Sequence, residues 1–182
     1  MGIDPSISCT GYAVLDSEAN SDGRFVAAGY IVPAKKGSLV ARILDLAAAV
    51  EKRIAEQAPD VIVIETPAET GRAMSGQRFS GTAMTIPVYG AAVGACIIAA
   101  RKSGAVIVGT PSDEWTKRRD TPRCSGDPNK ENRVEYVRKV WNIFDLGPKT
   151  LAGNVADALL IARWMIGRLD AADYLRELEG GE

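Results

Sequence analysis

The sequence predicts a single α/β domain spanning residues 1–182, built on a mixed five-stranded sheet with helices on both faces. Three observations predict it. The N-terminal third holds three short strand-like runs joined by tight turns, residues 61–65 (VIVIE) form a near-continuous β-branched run, and long helical apolar periods lie between and after the strands. The element order reads βββαβαβαα, which implies antiparallel and parallel pairings in one sheet.

Residues 2–4 read as the end of a first strand and residues 10–15 (TGYAVL) as a second, with residues 5–9 making the turn between them. Polar, Gly-containing residues 16–23 lead into a third strand at 25–32. Only three residues precede Asp4, so the first strand is short: it begins at the chain start, or the natural start lies upstream. Ser38 precedes a helical run to about residue 57, with Leu39, Ile43, Leu46, Val50 and Ile54 at spacings of three and four. VIVIE is the pattern of a strand covered by helices on both faces.

Residues 66–80 have no period and carry Arg72, Arg78 and Phe79; a loop of that length is often functional. A small-residue-rich helix follows over 81–103, starting either at Gly81 or only at Pro87. Its Ala/Gly stretch at 90–99 can pack closely against another subunit or against the sheet. Residues 105–109 (AVIVG) form a fifth strand. Helices are expected over 129–144 and 154–169, with a weaker acidic one over 171–178.

Composition narrows the chemistry. Hydrophobic residues at 46% and charged residues at 25% describe an ordinary globule. No apolar run is long enough to span a bilayer and no leader pattern opens the chain, so the expected location is cytoplasmic or otherwise intracellular, not secreted or membrane-bound. The chain has no histidine and three scattered cysteines, which excludes imidazole chemistry and a structural zinc site. A formal charge of −1 argues against bulk attraction to nucleic acid. Residues 115–139, however, carry eight basic and four acidic side chains, and 168–182 two basic and five acidic, a positive face opposed to an acidic tail.

Three acids lie where solvated charges do not belong. Asp4 closes an apolar strand, Glu65 ends VIVI, and Asp157 sits inside NVADALLIARW. Carboxylates at the ends of buried elements are costly unless paired or bound to a cation. Without histidine the expected ion is hard and oxygen-ligated, Mg²⁺ or Mn²⁺. If the first strand neighbours the strand of Glu65, Asp4 and Glu65 stand side by side and the final helix lays Asp157 across their ends. Asn154 shares the helical face of Asp157 and could lend its amide oxygen.

With these residues assembled, the chain resembles the RuvC family of Holliday-junction resolvases, within the RNase H-like superfamily. GIDPSISCTGYAVLD at residues 2–16 is similar to the family's first strand, turn and second strand, with Asp4 at its first catalytic acid. VIVIET at 61–66 resembles the strand ending in the catalytic glutamate, here Glu65. NVADALLIARW at 154–164 resembles the last catalytic helix, with Asp157 as its acid. GTPSDEWTK at 109–117 and the turn bearing Lys130 look like the fifth strand and basic loop, so the resemblance covers residues 2–166. The family usually places an acid or histidine where this chain has Asn154. Asn154 is either natural or an inactivating Asp-to-Asn replacement.

The resemblance implies an RNase H-like fold and a metal-dependent endonuclease that nicks a four-way DNA junction in paired symmetric fashion, leaving 5′-phosphate and 3′-hydroxyl ends. It implies two Mg²⁺ ions, replaceable by Mn²⁺, with Asp4 bridging, Glu65 on one ion and Asp157 with Asn154 on the other. Lys130 is either a cation near the reacting phosphate or a solvated residue before a helix. Lys117, Arg118, Arg119 and Arg123 are expected along the DNA backbone. Phe79, between Arg72 and Arg78, either wedges into the junction or tucks into the core. Arg133 and Arg138 extend the basic patch or pair with Glu131 and Glu135. Trp115 and Trp141 read as core or interface. A homodimer suits a two-fold substrate, and no nucleotide cofactor is expected. The alternatives are a related nuclease acting on forks, flaps or RNA–DNA hybrids, a junction-binding module without activity, and a small ATPase.

Overall fold

The computed structural model describes residues 1–18, 22–34, 36–67, 85–116 and 130–169. Its sheet runs β3-β2-β1-β4-β5, with β1 Gly2–Asp4, β2 Thr10–Asp16, β3 Arg24–Ile31, β4 Val61–Thr66 and β5 Val106–Pro111. The first three strands pair antiparallel; β4 pairs parallel with β1 on one side and β5 on the other. The mixed sheet expected from the sequence is therefore present, with the three-residue β1 at its centre. The Met1 amino group donates to the Val61 carbonyl at 2.7 Å, and the Val63 amide to the Met1 carbonyl at 2.8 Å, so β1 is tied to β4 from its first residue.

Alternation along the strands divides the core. Ile3, Tyr12, Val14, Ile62 and Ile64 face α1 (Leu39–Gln57) and α2 (Thr85–Arg101), meeting Leu46, Val50 and Ile54 and the small side chains Ala92, Ala95, Cys96 and Ala99. Ala13, Val63 and Val108 face the other way, onto Val155, Ala158 and Leu159 of α5 (Lys149–Leu169), Val137 of α4 (Lys130–Trp141) and Trp115 of the short α3 (Ser112–Thr116). Helices thus cover both faces. The small residues of α2 pack inward, so the sheet-packing alternative holds for them. Gly90 and Gly94 open onto empty space on the outer side, near Ile98, which is 65% exposed.

Two glycines decide how close α5 comes. A Cβ on Gly2 would collide with the Ala158 carbonyl, and one on Gly11 with the Asn154 carbonyl. Helix backbone therefore rests directly on β1 and β2, which only glycine permits.

Several boundaries differ from expectation. Helix α5 begins at Lys149, not at 154: Pro148 starts the helix by accepting from the Leu151 and Ala152 amides. Helix α4 ends at Trp141, where Asn142 turns left-handed (φ 54°) and the Trp141 indole donates to Gly23. Helix α2 is described from Thr85 to Arg101, the residues before it lying outside the described ones, and β5 extends to Pro111. The five-residue α3 was not anticipated, since one turn has no period. The acidic helix expected over 171–178 lies outside the described residues.

Candidate metal and DNA site

Ile3 pairs with Ile64 in the parallel β1–β4 register, so Asp4 and Glu65, one residue further along each strand, are neighbours at the strand ends. Adjacent strands lie about 4.8 Å apart. Both carboxylates are half-buried. Tyr89 of α2 touches this pair: burial first, then the charges of Glu65 and Asp4 and a hydrogen bond to Glu65, hold its hydroxyl protonated well above the usual tyrosine range. The phenol therefore donates to Glu65. Burial, with Asp4 nearby, also pushes the Cys96 thiol up to about 12, so it is an inert core residue. Tyr89 was missed by sequence reasoning because it sits in an apolar, small-residue run with no motif around it.

The turn after Asp4 is clamped from three sides. Thr10 Oγ1 accepts from the Ser6 amide at 3.0 Å and donates to the Ser6 carbonyl at 2.8 Å. Arg42 donates to the Ile7 carbonyl at 2.9 Å. Asn154 Nδ2 donates to the Cys9 carbonyl at 2.6 Å. The amide of Asn154 thus ties α5 to the turn by its donor end, and only its oxygen end can serve as a ligand.

Asp157 is 4% exposed and lies one turn past Asn154. Its Oδ1 is 2.9 Å from Nε of Arg133 on α4. Neither atom is in hydrogen-bond alignment, so charge rather than a directed bond holds this contact. The Arg133 guanidinium also stands 5.6 Å from the ring centre of Trp115, itself buried. Arg133 had been expected to extend the basic patch or to pair with Glu131 or Glu135. One partner of Arg133 is thus a buried acid on another helix, a tertiary contact that no local spacing announces; the side chain of Glu131 lies outside the described residues.

The donor set, carboxylates and an amide oxygen, suits a hard cation. Its placement suits one only in part: among the described residues no three acidic or sulfur side chains are grouped closely enough to hold a metal ion. Asp4 and Glu65 stand together, while Asp157 faces Arg133. Lys130 is the first residue of α4, but its side chain lies outside the described residues, as do Arg72, Arg78, Phe79, Lys117, Arg118, Arg119 and Arg123. Among the described residues no helix is long and apolar enough to cross a membrane.

Residues 1–163 match the family described as Crossover junction endodeoxyribonuclease RuvC. The chain belongs to the RuvC family. A RuvC of that description from Paenarthrobacter aurescens is 30% identical over 162 residues, covering 89% of this chain and 77% of its own length. The RuvC of Pseudarthrobacter chlorophenolicus is 29% identical over 162 residues, covering 89% and 76%. Among solved structures, T. thermophilus RuvC in complex with a Holliday junction substrate superposes with a TM-score of 0.68 at 18% identity, over 93% of each chain. A second Thermus thermophilus RuvC structure gives 0.68 at 20%, over 94% of this chain and 95% of that one. The fold is accordingly the RNase H-like fold of RuvC, as the sequence resemblance implied.

Proposed function

We propose that this chain is a divalent-metal-dependent endonuclease that resolves four-way DNA junctions by paired symmetric nicks, leaving 5′-phosphate and 3′-hydroxyl ends. The observation that carries the reading is the β1–β4 register, with Asp4 and Glu65 side by side beneath the helix that bears Asp157. RuvC-family membership and a relative solved with a Holliday junction support the substrate.

In this reading Asp4 and Glu65 hold one Mg²⁺, and Asp157 with the oxygen end of Asn154 serves a second, Mn²⁺ substituting. Bound ions of this kind supply Lewis-acid charge at the phosphate and a water of lowered pKa. The protein's own part is positioning. Tyr89 orients Glu65 by donation, the clamped turn fixes Asp4, and the close seat of α5 on Gly2 and Gly11 sets Asp157 and Asn154 over the strand ends. Lys130 stands near the reacting phosphate; Lys117, Arg118, Arg119 and Arg123 follow the DNA backbone; Arg72, Arg78 and Phe79 engage the crossover. The protein works as a homodimer, for which the outer stripe of α2, with Gly90, Gly94 and exposed Ile98, offers a face that permits close helix approach.

The test is a cleavage panel with Mg²⁺ on junction, fork, flap, nicked duplex and RNA–DNA hybrid at equal concentration. Paired symmetric nicks on the junction are expected; preferential cutting of any other form would overturn the substrate assignment. One second reading has an observation in its favour. Asn154 in place of an acid, with Arg133 against Asp157, suits a junction-binding module without cleavage. Tight junction binding with no cutting in Mg²⁺ or Mn²⁺, unrestored by Asn154→Asp, would select it.

A further inference from the structure

Among the described residues five arginines are partly buried, and four of them stand against a carboxylate: Arg53 against Glu56, Arg133 against Asp157, Arg163 against Asp22 and Arg168 against Glu114. Arg42 is the exception. Its Nη2 donates to the Ile7 carbonyl at 2.9 Å, and its Nε is shut off from solvent without a hydrogen-bond partner. No ion pair joins it to a carboxylate among the described residues, and the first turn of α1, where it lies, holds no acid. A cation partly withdrawn from water without a counter-charge costs stability, and a bound anion would offset that cost.

Its position says which anion. Ile7 lies in the turn directly after β1, three residues from Asp4, a reach of at most about 10 Å. Ser8 in that turn, and Ser38 and Ala41 at the start of α1, are exposed, so the surface around Arg42 is open. A DNA strand carries one phosphate for about every 3.4 Å of helix axis. A strand with one phosphate at Asp4 therefore has another within reach of Arg42. We propose that Arg42 grips a DNA backbone phosphate beside the scissile one, so that the turn after Asp4 docks the cut strand as well as seating a metal ligand. The proposal rests on the nuclease reading for the identity of the substrate. The unused N–H groups of the guanidinium suit phosphate oxygens, and a contact of this kind sets the register of a strand without reading its sequence.

The experiment measures binding of a labelled four-way junction by the full chain without divalent ions, over a series of salt concentrations. In R42Q the slope of log affinity against log salt should be shallower than in wild type by about 0.9, the loss of one phosphate contact, and R42K should keep the wild-type slope. A merely structural role through Ile7 would lower the melting point of R42Q and leave its slope alone. An unchanged slope in folded R42Q, or a slope lowered equally in R42K, would overturn the proposal. Should R42Q not fold, phenylglyoxal labelling of wild type decides, with mass spectrometry reading the modification at Arg42. Labelling that the junction suppresses is expected; labelling equal with and without the junction, or absent in both, would overturn it. Wild type that binds but never cuts the junction, with the slope change present, would sink the nuclease reading and leave the Arg42 contact standing. Junction cleavage by wild type with an unchanged slope in R42Q would do the reverse.

Discussion

Gly11→Ala tests how the fold seats helix α5, the helix proposed to carry Asn154 and Asp157 into the site. Gly11 pairs with Asp4 across β1 and β2, and its missing Cβ leaves the place taken by the Asn154 carbonyl. The obstacle is helix backbone, so no side chain can rotate away. Helix α5 must retreat from the sheet by roughly 1 Å, which as overpacking costs about 1–3 kcal/mol. For a chain of this size that lowers the melting temperature by about 2–12 °C. The same retreat moves Asn154, one turn from Asp157, and stretches its 2.6 Å bond to Cys9. Misplacement of about 1 Å in a reacting constellation is associated with about a 100-fold loss of rate. Melting followed by circular dichroism, with single-turnover junction cleavage and junction binding on the same preparation, reads all three effects. Expected are a lowered melting point, cleavage down about 100-fold and binding nearly intact. Wild-type melting and wild-type cleavage in Gly11→Ala would refute the argument that close backbone approach sets the site.

The remaining predictions concern side chains. Asp4→Asn and Glu65→Gln should each abolish cleavage while leaving folding and junction binding largely intact, with unchanged or slightly raised melting points, because these half-buried acids serve function rather than packing. Thermal melts, gel shifts and cleavage on one junction check this, and wild-type cutting by either variant defeats the assignment. Tyr89→Phe removes the donor to Glu65 and should lower stability by about 1 kcal/mol and cleavage several-fold, read by denaturant unfolding and by kcat. Because its hydroxyl stays protonated above the usual tyrosine range, the donation should persist at alkaline pH, so wild type should show no loss of activity near pH 10 traceable to Tyr89 that the phenylalanine variant lacks. Neutralising Arg118 and Arg119 together should weaken binding to every DNA form and flatten its salt dependence; an unchanged slope removes them from the interface.

Much of this architecture is legible in the sequence because local signals and tertiary demands agree. VIVIE must be covered on both faces, and it is the strand that α1 and α2 cover on one side and α5 on the other. Ser38 caps α1 as a helix-starting serine should, accepting from the Ala41 amide at 3.2 Å. Asp4 and Glu65 stand out in the sequence because a charge at the end of an apolar strand is anomalous wherever it occurs. Contacts made only by distant packing were not legible. Arg133 has acidic neighbours along its own helix, and nothing in their spacing says that its charge goes to Asp157 on α5. Asn154 reads as a weak ligand, whereas its donor end fastens the turn through Cys9, 145 residues away in the chain. Tyr89 gains meaning only once α2 lies across the ends of β1 and β4.

The central claim is that Asp4 and Glu65, side by side at the ends of β1 and β4, bind a hard divalent cation. Crystals soaked in Mn²⁺ and measured at the manganese edge test it most directly. The account predicts an anomalous peak between the carboxylates of Asp4 and Glu65, lost in Asp4→Asn. An ordered, Mn²⁺-soaked crystal with no peak there, or with a peak at unrelated residues, would contradict it.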